Sequence, residues 1–442
     1  MSLEPNDTTS ATLESWIEVA PDSDFPVQNL PLGVFVRNAS SGGRIGIAIG
    51  DRILDVRAAT ERGFLDGACE RDVLVRPNLN ALFAAGRGAG KALRERISSL
   101  LRRDGDPALR DAGAEEFFVR QRDARMLLPV EIGDYVDFYS SLEHATNLGR
   151  LFRPDAEPLL PNWRWMPIGY HGRCATIVVD GTPIVRPCGQ RKPPDATAPA
   201  FGPTTMLDIE LEVGFFTGRG NALGVPIRVG DAFEHIAGLV LVNDWSARDI
   251  QAWEYQPLGP FLGKSFATTV SPWVVTPDAL EPFRVANPVQ EPPPLPYLRT
   301  GERCGYDLRL SVELQSERMR DSGHAAHTIS RTNFGGMYWN MAQQLAHATV
   351  NGAVTRPGDL FASGTISGPT PDSYGSLIEL TWRGQRPIAL PGDESRAFLC
   401  DGDEVTLRGW CEKPGARRIG FGTARGRIER SFDCAPAALR SG

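Results

Sequence analysis

The sequence predicts a mainly β protein with some α-helix, and three observations support this class. Short runs rich in β-branched and aromatic residues recur along most of the chain, which is typical of strands. The 46 glycines and 35 prolines suit many tight turns between short strands. Helical periodicity is confined to residues 78–103 and 334–350. A chain of 442 residues is long enough for two or three domains.

The first part of the chain predicts a small antiparallel barrel. Three short strands are expected at residues 33–36, 45–49 and 53–56, with a turn at Gly50-Asp51 between the last two. The first 14 or so residues are polar, and we expect them to be frayed.

A helix and a connector are expected to follow the barrel. The helix is indicated by apolar residues at helical spacing, namely Leu93, Ile97, Leu100 and Leu101. Its opposite face is basic, but no aromatic residues interleave it, so we interpret it as a solvated surface rather than a nucleic-acid patch. The mixed-charge stretch 102–125 predicts a connector. A boundary near Pro129 then divides the chain into domains 1–129 and 130–442.

The larger part is expected to be predominantly β. The predicted strands lie at residues 176–179, 207–216, 236–242, 273–275, 377–382, 397–399 and 404–407. Proline-rich segments at 183–203 and 288–296 cannot pair inside a sheet and are expected to be ordered surface connections or lids. One helix is expected from about 334 to 350, with Met341, Leu345 and Ala348 on one face and Gly352 as its stop.

Composition excludes several classes of protein. The net charge of -7 and the lack of a basic run argue against nucleic-acid binding. No apolar run approaches the length of about 20 residues that a membrane span needs, and the first 30 residues contain no secretory apolar core. Seven cysteines, an odd number without a CxxC pair, indicate free thiols in a reducing cytosol, and we expect a cytoplasmic protein.

The chemistry is concentrated between residues 137 and 264. Asp208, Glu210 and Glu212 alternate with apolar residues, so in a strand they would share one face. A half-exposed strand with a solvated acidic face would give the same pattern. Two further carboxylates favour a buried metal site instead, because Asp244 follows a wholly apolar strand end and Asp137 lies between two tyrosines.

A hard dication with oxygen ligands would relieve the repulsion among Asp137, Glu210, Glu212 and Asp244. The sequence therefore predicts a Ca²⁺ or Mg²⁺ site at these four residues. Zinc is disfavoured because no Cys–His constellation is present.

His144 is the candidate catalytic base, because a base of near-neutral pKa suits the deprotonation of water. A satisfied core histidine is the alternative. Glu379, alone in an apolar run, is the candidate for orienting it. Arg248, Gln251 and Lys264 are donors that would stabilise an oxyanion, or would simply neutralise the acidic cluster.

Several long strings make the chain resemble the fumarylacetoacetase family. They lie at residues 137–147, 159–163, 169–172, 207–212, 243–251, 253–255, 259–265 and 356–368. The similarity begins around Ser15 and extends over nearly the whole chain. The resemblance implies an SH3-like N-terminal barrel, a larger mixed β-sandwich roll and a homodimer. It also implies hydrolysis of a carbon–carbon bond in a small diketo acid, 4-fumarylacetoacetate, to fumarate and acetoacetate, the last step of tyrosine and phenylalanine breakdown.

The resemblance also implies roles for individual residues. The four carboxylates would hold Ca²⁺ or Mg²⁺, and Lys264 and Thr268 match positions that bind a further Mg²⁺ through backbone oxygens. His144 would be the base, oriented by Glu379. The positions that match substrate contacts are Tyr139, Arg153, Tyr170, Gln251, Tyr255 and Thr365.

Two other functions stay open at this point. Relatives with the same metal site hydrolyse acylpyruvates, or hydrate or decarboxylate related keto acids, although they are typically shorter and lack the full N-terminal barrel. A metal-stabilised β protein without catalysis is the second alternative. The first 14 residues and residues 315–327 depart from the family pattern, which leaves their role open.

Overall fold

A computed structural model describes residues 8–37 and 42–432. The expected fraying of the N-terminus is wrong for the residues after position 7. Thr8 and Thr9 are buried, and the buried guanidinium of Arg94 donates from Nε to the Thr8 hydroxyl at 2.9 Å. Residues 1–7 and Cys434 lie outside the described ranges.

The N-terminal part forms one antiparallel sheet of five strands in the order β4-β3-β2-β1-β5. The strands are β1 (Leu32–Val36), β2 (Arg44–Ile49), β3 (Arg52–Asp55), β4 (Phe118–Arg120) and β5 (Arg125–Leu127). The helices are α1 (Val56–Glu61), α2 (Arg71–Leu74), α3 (Asn80–Ala84), α4 (Arg87–Leu101) and α5 (Ala108–Asp111).

The three predicted strands and the turn at Gly50 of this part are confirmed, and Gly50 has the positive φ of 55° that such a turn favours. The stretch 102–125, expected to be a connector, supplies the outer strand β4 and the first residue of the other outer strand, β5, and these two strands complete the curled sheet. Helix α4 buries the predicted apolar face, including Leu93 and Ile97.

The larger part contains the remaining elements. Its strands are β6 (Tyr135–Phe138), β7 (Gly169–His171), β8 (Ile177–Val179), β9 (Ile184–Val185), β10 (Cys188–Arg191), β11 (Ala200–Pro203), β12 (Leu207–Asp208), β13 (Leu211–Thr217), β14 (Ile236–Asp244), β15 (Ser246–Ala247), β16 (Thr268–Val270), β17 (Arg284–Val285), β18 (Gly305–Tyr306), β19 (Arg309–Gln315), β20 (His327–Asn333), β21 (Leu360–Ala362), β22 (Ile388–Leu390), β23 (Glu394–Arg396), β24 (Glu404–Cys411) and β25 (Ile419–Glu429). Its helices are α6 (Leu142–Phe152), α7 (Arg248–Glu254), α8 (Pro277–Leu280), α9 (Glu317–Asp321), α10 (Met341–Thr349) and α11 (Leu377–Leu380).

Two mixed sheets form the framework of this part. The seven-stranded sheet has the order β7-β6-β21-β13-β14-β16-β8, and the five-stranded sheet has the order β20-β19-β24-β25-β9. One face of β13 and β14, with Phe215 and Leu241, shares a core with β19 and β24. The other face, with Phe216 and Val240, shares a core with the N-terminal sheet and α4. The seven-stranded sheet is therefore buried on both faces, and the predicted mainly β fold of curled sheets is confirmed.

Several predicted strands are wrong. Residues 377–380 form the helix α11, and residues 397–399 form no strand. In the stretch 273–275, only Val274 and Val275 pair, through isolated bridges to Leu32 and Leu239. The predicted strand at 207–216 is broken after Asp208, which pairs with β15 rather than with β14. Hydrophobic runs this short do not distinguish a buried helical turn from a strand.

The proline-rich segment 183–203 is ordered, as expected, but parts of it pair as strands, which was not expected. It contributes the edge strand β9 to the five-stranded sheet, and β10 and β11 form a hairpin. Prolines are compatible with edge strands because the outer side of an edge strand makes no ladder hydrogen bonds.

The helix expected from residue 334 begins later. Helix α10 starts at Met341, where Asn340 and Gln343 form a capping box, and Gly352 follows its end with φ of 87°. Residues 334–336 form a separate single turn. The predicted apolar face is confirmed for Met341 and Leu345, which are buried.

The expectation of free thiols holds for most of the described cysteines but not all. Cys69, Cys174, Cys304, Cys400 and Cys411 are free. Cys188, at the start of β10, is disulfide-bonded. The prediction of free thiols, made from the odd number and wide spacing of the cysteines, was therefore wrong for Cys188. The cytoplasmic location and the division into domains 1–129 and 130–442 stay predictions. Within residues 8–37 and 42–432, no helix combines the length and the hydropathy that a membrane span requires.

Candidate active site and metal centre

Four carboxylates converge at one end of the seven-stranded sheet. Asp137 lies in β6, Glu212 in β13, Asp244 at the end of β14, and Glu210 in the break between β12 and β13. One oxygen from each lies within 4.8 Å of the others, and all four residues are buried. The metal-ligand set expected from the sequence is therefore brought together. We call these four residues the acidic cluster.

Strand alternation explains why three of these side chains meet. Glu212 lies four residues before Phe216, and Asp244 lies two residues after Val242, so both project from the face that packs on the N-terminal part. Asp137 is aligned with the central strand β21, which separates β6 from β13. The apolar strands thus carry the carboxylates into a buried site.

The structure shows that the acidic cluster is not satisfied by its protein neighbours. Asp137 Oδ1 and Glu212 Oε1 are buried and accept no hydrogen bond from any described residue. Burial, reinforced by the neighbouring carboxylates, raises the pKa of Asp137 and of Glu212 well above the usual range. Burial also raises the pKa of Asp244, although the Lys264 ammonium partly opposes it. A group of buried carboxyls with unpartnered oxygens is destabilising unless a proton or a cation compensates it.

Glu210 differs from the other members because two cations reach it. Burial would raise its pKa, but Lys264 and Arg248 outweigh burial and lower the pKa to about 2. Lys264 Nζ contacts Glu210 Oε2 and Asp244 Oδ2, and Arg248 Nη2 lies 2.8 Å from Glu210 Oε1. The carboxylates in turn raise the pKa of Lys264, so its ammonium stays charged despite burial.

The ligand atoms of the acidic cluster fit a hard divalent cation. All four ligands are carboxylates, the chemistry that Ca²⁺ and Mg²⁺ prefer, and the two unpartnered oxygens provide free lone pairs. Lys264 offsets only one of the four negative charges, and Arg248 is shared with Asp208. A dication would offset most of the charge that remains on this cluster.

His144 lies beside the acidic cluster at the start of α6. Ser141 caps this helix and accepts from the His144 backbone N–H at 3.2 Å. The imidazole Nδ1 is 2.6 Å from Glu379 Oε2, and Nε2 is 4.0 Å from Glu210 Oε1. An ionised carboxylate only accepts hydrogen bonds, so Nδ1 carries a proton, and in the neutral imidazole Nε2 would face the cluster with its lone pair.

Glu379 is held in its ionised form by a ring of donors. Asn147 Nδ2 and Ser367 Oγ donate to its Oε1, each at 3.0 Å, and Ser376 Oγ donates to Oε2 at 2.7 Å. Burial opposes ionisation, but His144 and these donors together lower the pKa of Glu379. The predicted pairing of His144 with Glu379 is present, although Glu379 lies in α11 rather than in a strand.

The donors expected near an oxyanion lie along α7 and the loop after it. Arg248 is the first residue of α7, and its Nη1 donates to Gln251 Oε1 at 3.3 Å. Arg248 and Lys264 are both buried against the cluster. The three residues therefore lie in one group, as the sequence predicted, while their roles stay predictions.

The Thr268 hydroxyl donates to Asp244 Oδ1 at 3.0 Å. Lys264 approaches the acidic cluster through its ammonium, which cannot ligate a metal. The second Mg²⁺ site expected at the backbone oxygens of Lys264 and Thr268 stays a prediction.

Three of the expected substrate-contacting residues lie against the centre. Tyr170 donates to Asp244 Oδ2 at 3.3 Å, and the Tyr139 ring packs edge-on against the His144 ring with 5.3 Å between centroids. The Thr365 hydroxyl is buried and has no hydrogen-bond partner in the described part of the chain.

Two others lie further out. Arg153 follows α6, donates to the Pro158 carbonyl at 2.7 Å and lines an open cavity of about 720 Å³ with Thr146 and Trp165. Tyr255 follows α7 and is exposed. Neither forms a hydrogen bond or ion pair with the acidic cluster among the described residues.

Sequence reasoning missed the residues that hold the His144–Glu379 pair in place. Asp208 was expected to share the face of Glu210 and Glu212, but the break after it turns its carboxylate toward Arg248 instead. Ser367 and Asn147 were not singled out, although both lie inside the strings at 137–147 and 356–368. The position of Ser367 and Asn147 inside these family-like stretches was the signal that could have identified them.

Comparison with known families matches both parts of the chain. A family described as fumarylacetoacetase N-terminal matches residues 28–129, and one described as fumarylacetoacetate (FAA) hydrolase C-terminal matches residues 135–429. The second match includes every residue of the acidic cluster, together with His144.

Individual relatives are similar over nearly their whole length. Human fumarylacetoacetase is 52% identical over 421 residues, which cover 94% of this chain and 98% of the human protein. Fumarylacetoacetase of Arabidopsis thaliana is 50% identical over 422 residues, covering 95% of this chain and 99% of that protein. The fold is similar to that of a fumarylacetoacetate hydrolase from psychrophilic Exiguobacterium antarcticum, with a TM-score of 0.50 and 16% identity over 91% of this chain and 99% of the other. The chain belongs to the fumarylacetoacetase family.

Proposed function

We propose that this protein hydrolyses the carbon–carbon bond of 4-fumarylacetoacetate to give fumarate and acetoacetate. The observation that carries the proposal is a buried acidic cluster beside an oriented His144–Glu379 pair, in a chain about half identical to fumarylacetoacetases of other organisms. The reaction places it at the last step of tyrosine and phenylalanine breakdown.

The acidic cluster is the proposed site of Ca²⁺ or Mg²⁺. Asp137, Glu210, Glu212 and Asp244 would hold the ion through carboxylate oxygens. When bound, such an ion supplies positive charge to the oxygens of a 1,3-diketone and makes the enolate a better leaving group. The two unpartnered oxygens of the cluster support this assignment.

His144 is the proposed general base. Its Nε2, free of the Glu379 contact, takes a proton from a water molecule that attacks the carbonyl carbon of the fumaryl group. Glu379 stays ionised and stabilises the imidazolium that results. Breaking the carbon–carbon bond then releases fumarate, and the departing enolate gains a proton to become acetoacetate.

The negative charge that develops on the attacked carbonyl oxygen needs nearby donors. Arg248, Gln251 and Lys264 are grouped beside Glu210 and are proposed to supply them. The ordering of Arg248 by two carboxylates means that little reorganisation is required during the reaction.

The substrate carries a carboxylate at each end, and a guanidinium or phenol hydroxyl suits such groups. Arg153, Tyr139 and Tyr170 are proposed to anchor them, with Tyr255 and Thr365 as further contacts. The proximity of Tyr139 to His144 and of Tyr170 to Asp244 supports this arrangement.

A comparison of substrates tests the proposed reaction. Purified protein with Ca²⁺ or Mg²⁺ is incubated with 4-fumarylacetoacetate and, separately, with an acylpyruvate, and the products are identified by NMR. The expected result is equimolar fumarate and acetoacetate, with a higher kcat/KM than for the acylpyruvate. Preferential turnover of the acylpyruvate would contradict the assignment and favour a related keto-acid hydrolase.

We further propose that the protein is a homodimer. Large apolar side chains are exposed around the loop that follows α7, and they are Trp253, Tyr255, Leu258, Phe261 and Leu262. The β10–β11 hairpin contacts this region, since Trp253 Nε1 donates to Gln190 Oε1 at 3.2 Å, and it adds the exposed Phe201. A contiguous exposed apolar surface of this kind marks an interaction site, and a second copy of this chain is the occupant that we propose.

Light scattering after size-exclusion chromatography tests the dimer. The double change Leu258→Asp and Phe261→Asp is expected to convert a dimer into a monomer, because it buries charge at the interface. Leu223→Asp is the matched control, since Leu223 is 83% exposed in another loop. A monomeric wild type, or a dimer that survives the double change, would refute the proposed surface.

A further inference from the structure

One buried carboxylate near the catalytic pair belongs to neither the acidic cluster nor the expected donors. Asp208 is 0% exposed and ends the short strand β12. Strand β12 pairs with β15, so Asp208 lies opposite Ser246, two residues before Arg248. The Arg248 backbone N–H also donates to the Met206 carbonyl at 3.0 Å. Asp208 is thus fixed against the segment that leads into α7.

The Asp208 carboxylate binds Arg248 from one side. Arg248 Nε donates to Asp208 Oδ2 at 2.7 Å, while Nη2 of the same guanidinium lies 2.8 Å from Glu210 Oε1. The guanidinium is therefore held between a carboxylate of the acidic cluster and one outside it. A planar group with two such partners has little freedom to rotate.

The same carboxylate binds the segment that carries Glu379. The backbone N–H of Leu377 donates to Oδ1 at 2.6 Å, and that of Ile378 donates to Oδ2 at 3.1 Å. These are the first two residues of α11, and Glu379 is the next. Because α11 has only 4 residues, it has little stability of its own. The Asp208 bonds are what fix its start.

We propose that Asp208 is a positioning residue. It holds Arg248 and the His144–Glu379 pair in the relative positions that the reaction needs. This inference rests on the proposed hydrolysis. Without the Asp208 carboxylate, Arg248 would be ion-paired with Glu210 alone, and the start of α11 would lose both of its side-chain acceptors. Displacements of about 1 Å in such groups reduce rates by about 10²-fold.

The variant Asp208→Asn tests the proposal, because it removes the charge and one acceptor while nearly keeping the shape. Asp55→Asn is the matched control. Asp55 is also 0% exposed, binds Arg37 and Arg44, and accepts a backbone N–H at the start of a helix, but it lies in the N-terminal sheet. Both variants are expected to lose thermal stability.

Turnover and spectroscopy separate positioning from stability. For Asp208→Asn we expect kcat to fall at least about tenfold, with KM within about threefold of wild type. The downfield proton resonance of the His144 Nδ1–H donated to Glu379 is expected to shift or disappear. Asp55→Asn should change neither kcat nor this resonance.

A folded Asp208→Asn protein with wild-type kcat and an unchanged resonance would overturn the proposal. If this variant does not fold, Asp208→Glu takes its place, since it keeps the charge but displaces the carboxylate by one methylene group, and the same results are expected. Should the wild type fail to hydrolyse fumarylacetoacetate, the proposed function fails, while the resonance still decides the role of Asp208.

Discussion

His144 is oriented by a carboxylate 235 positions away in the chain, at a distance of 2.6 Å. Asn147, Ser367 and Ser376 complete the surroundings of that carboxylate and keep it ionised. At the residue scale, the site therefore contains two kinds of carboxylate. Glu379 is satisfied by hydrogen bonds, whereas Asp137 and Glu212 in the acidic cluster keep unpartnered oxygens. The first kind suits orientation of a base, and the second suits a cation.

Replacing the base tests this division directly. His144→Ala is expected to lower kcat by about 10²- to 10⁴-fold, because general-base catalysis contributes that much, while Ca²⁺ or Mg²⁺ binding measured by calorimetry is retained. His235→Ala is the control, since that imidazole Nδ1 also has one partner, the Arg219 carbonyl at 2.5 Å. Unaltered turnover of fumarylacetoacetate by His144→Ala would show that another group is the base.

At the scale of elements, strand ends and one tight turn position the site. Gly364 follows β21 with φ of 76°, and its N–H donates to Glu212 Oε2 at 3.1 Å. A Cβ at this position would lie 2.1 Å from the Phe138 carbonyl oxygen on β6. Only glycine allows this close approach of β21 to β6 next to Asp137.

Gly364→Ala is therefore expected to lower the free energy of unfolding by roughly 2–4 kcal/mol, from backbone strain together with overpacking. Denaturant unfolding measures the loss, and weaker Ca²⁺ or Mg²⁺ binding should accompany it because the backbone shift displaces the N–H that donates to Glu212. Gly415→Ala, with φ of 80° but nothing within 4 Å of the added Cβ, should cost only about 1–2 kcal/mol. Equal losses for the two variants would exclude the clash as the cause.

Local patterns in the sequence were enough to place some site residues and their elements correctly, but not others. Glu212 was placed correctly because it alternates with apolar residues, and Asp244 because it directly follows a wholly apolar strand. Asp208 was misplaced because a break after two residues of β12 leaves that alternation unchanged. Glu379 was paired correctly with His144, but its helix was missed because a 4-residue apolar turn has no measurable period.

At the scale of the whole molecule, the N-terminal sheet and the five-stranded sheet enclose the seven-stranded sheet from both sides. This burial is what raises the pKa of Asp137, Glu212 and Asp244. The mainly β class, the N-terminal sheet and the β-rich larger part followed from composition and pattern. The pairing of distant strands, such as β9 with β25, did not, because contacts between residues so far apart leave no local signal.

The raised pKa values predict how metal removal and pH combine. In metal-free protein these carboxyls hold protons more tightly when folded than when unfolded, so the associated stability is present at low pH and is lost as pH rises through the raised pKa values. Chelation is therefore expected to lower Tm more at pH 8 than at pH 5, as measured by calorimetry. A chelation effect that is the same or smaller at pH 8 would contradict the electrostatic account of the acidic cluster.

The most direct test of the central claim follows the loss of the conjugated diketone absorbance of 4-fumarylacetoacetate with purified protein, before and after chelation. The account predicts rapid hydrolysis, its loss when divalent ions are removed, and its return when Ca²⁺ or Mg²⁺ is added back. Hydrolysis that continues undiminished in fully chelated protein would contradict the claim that the four buried carboxylates hold a cation needed for the reaction.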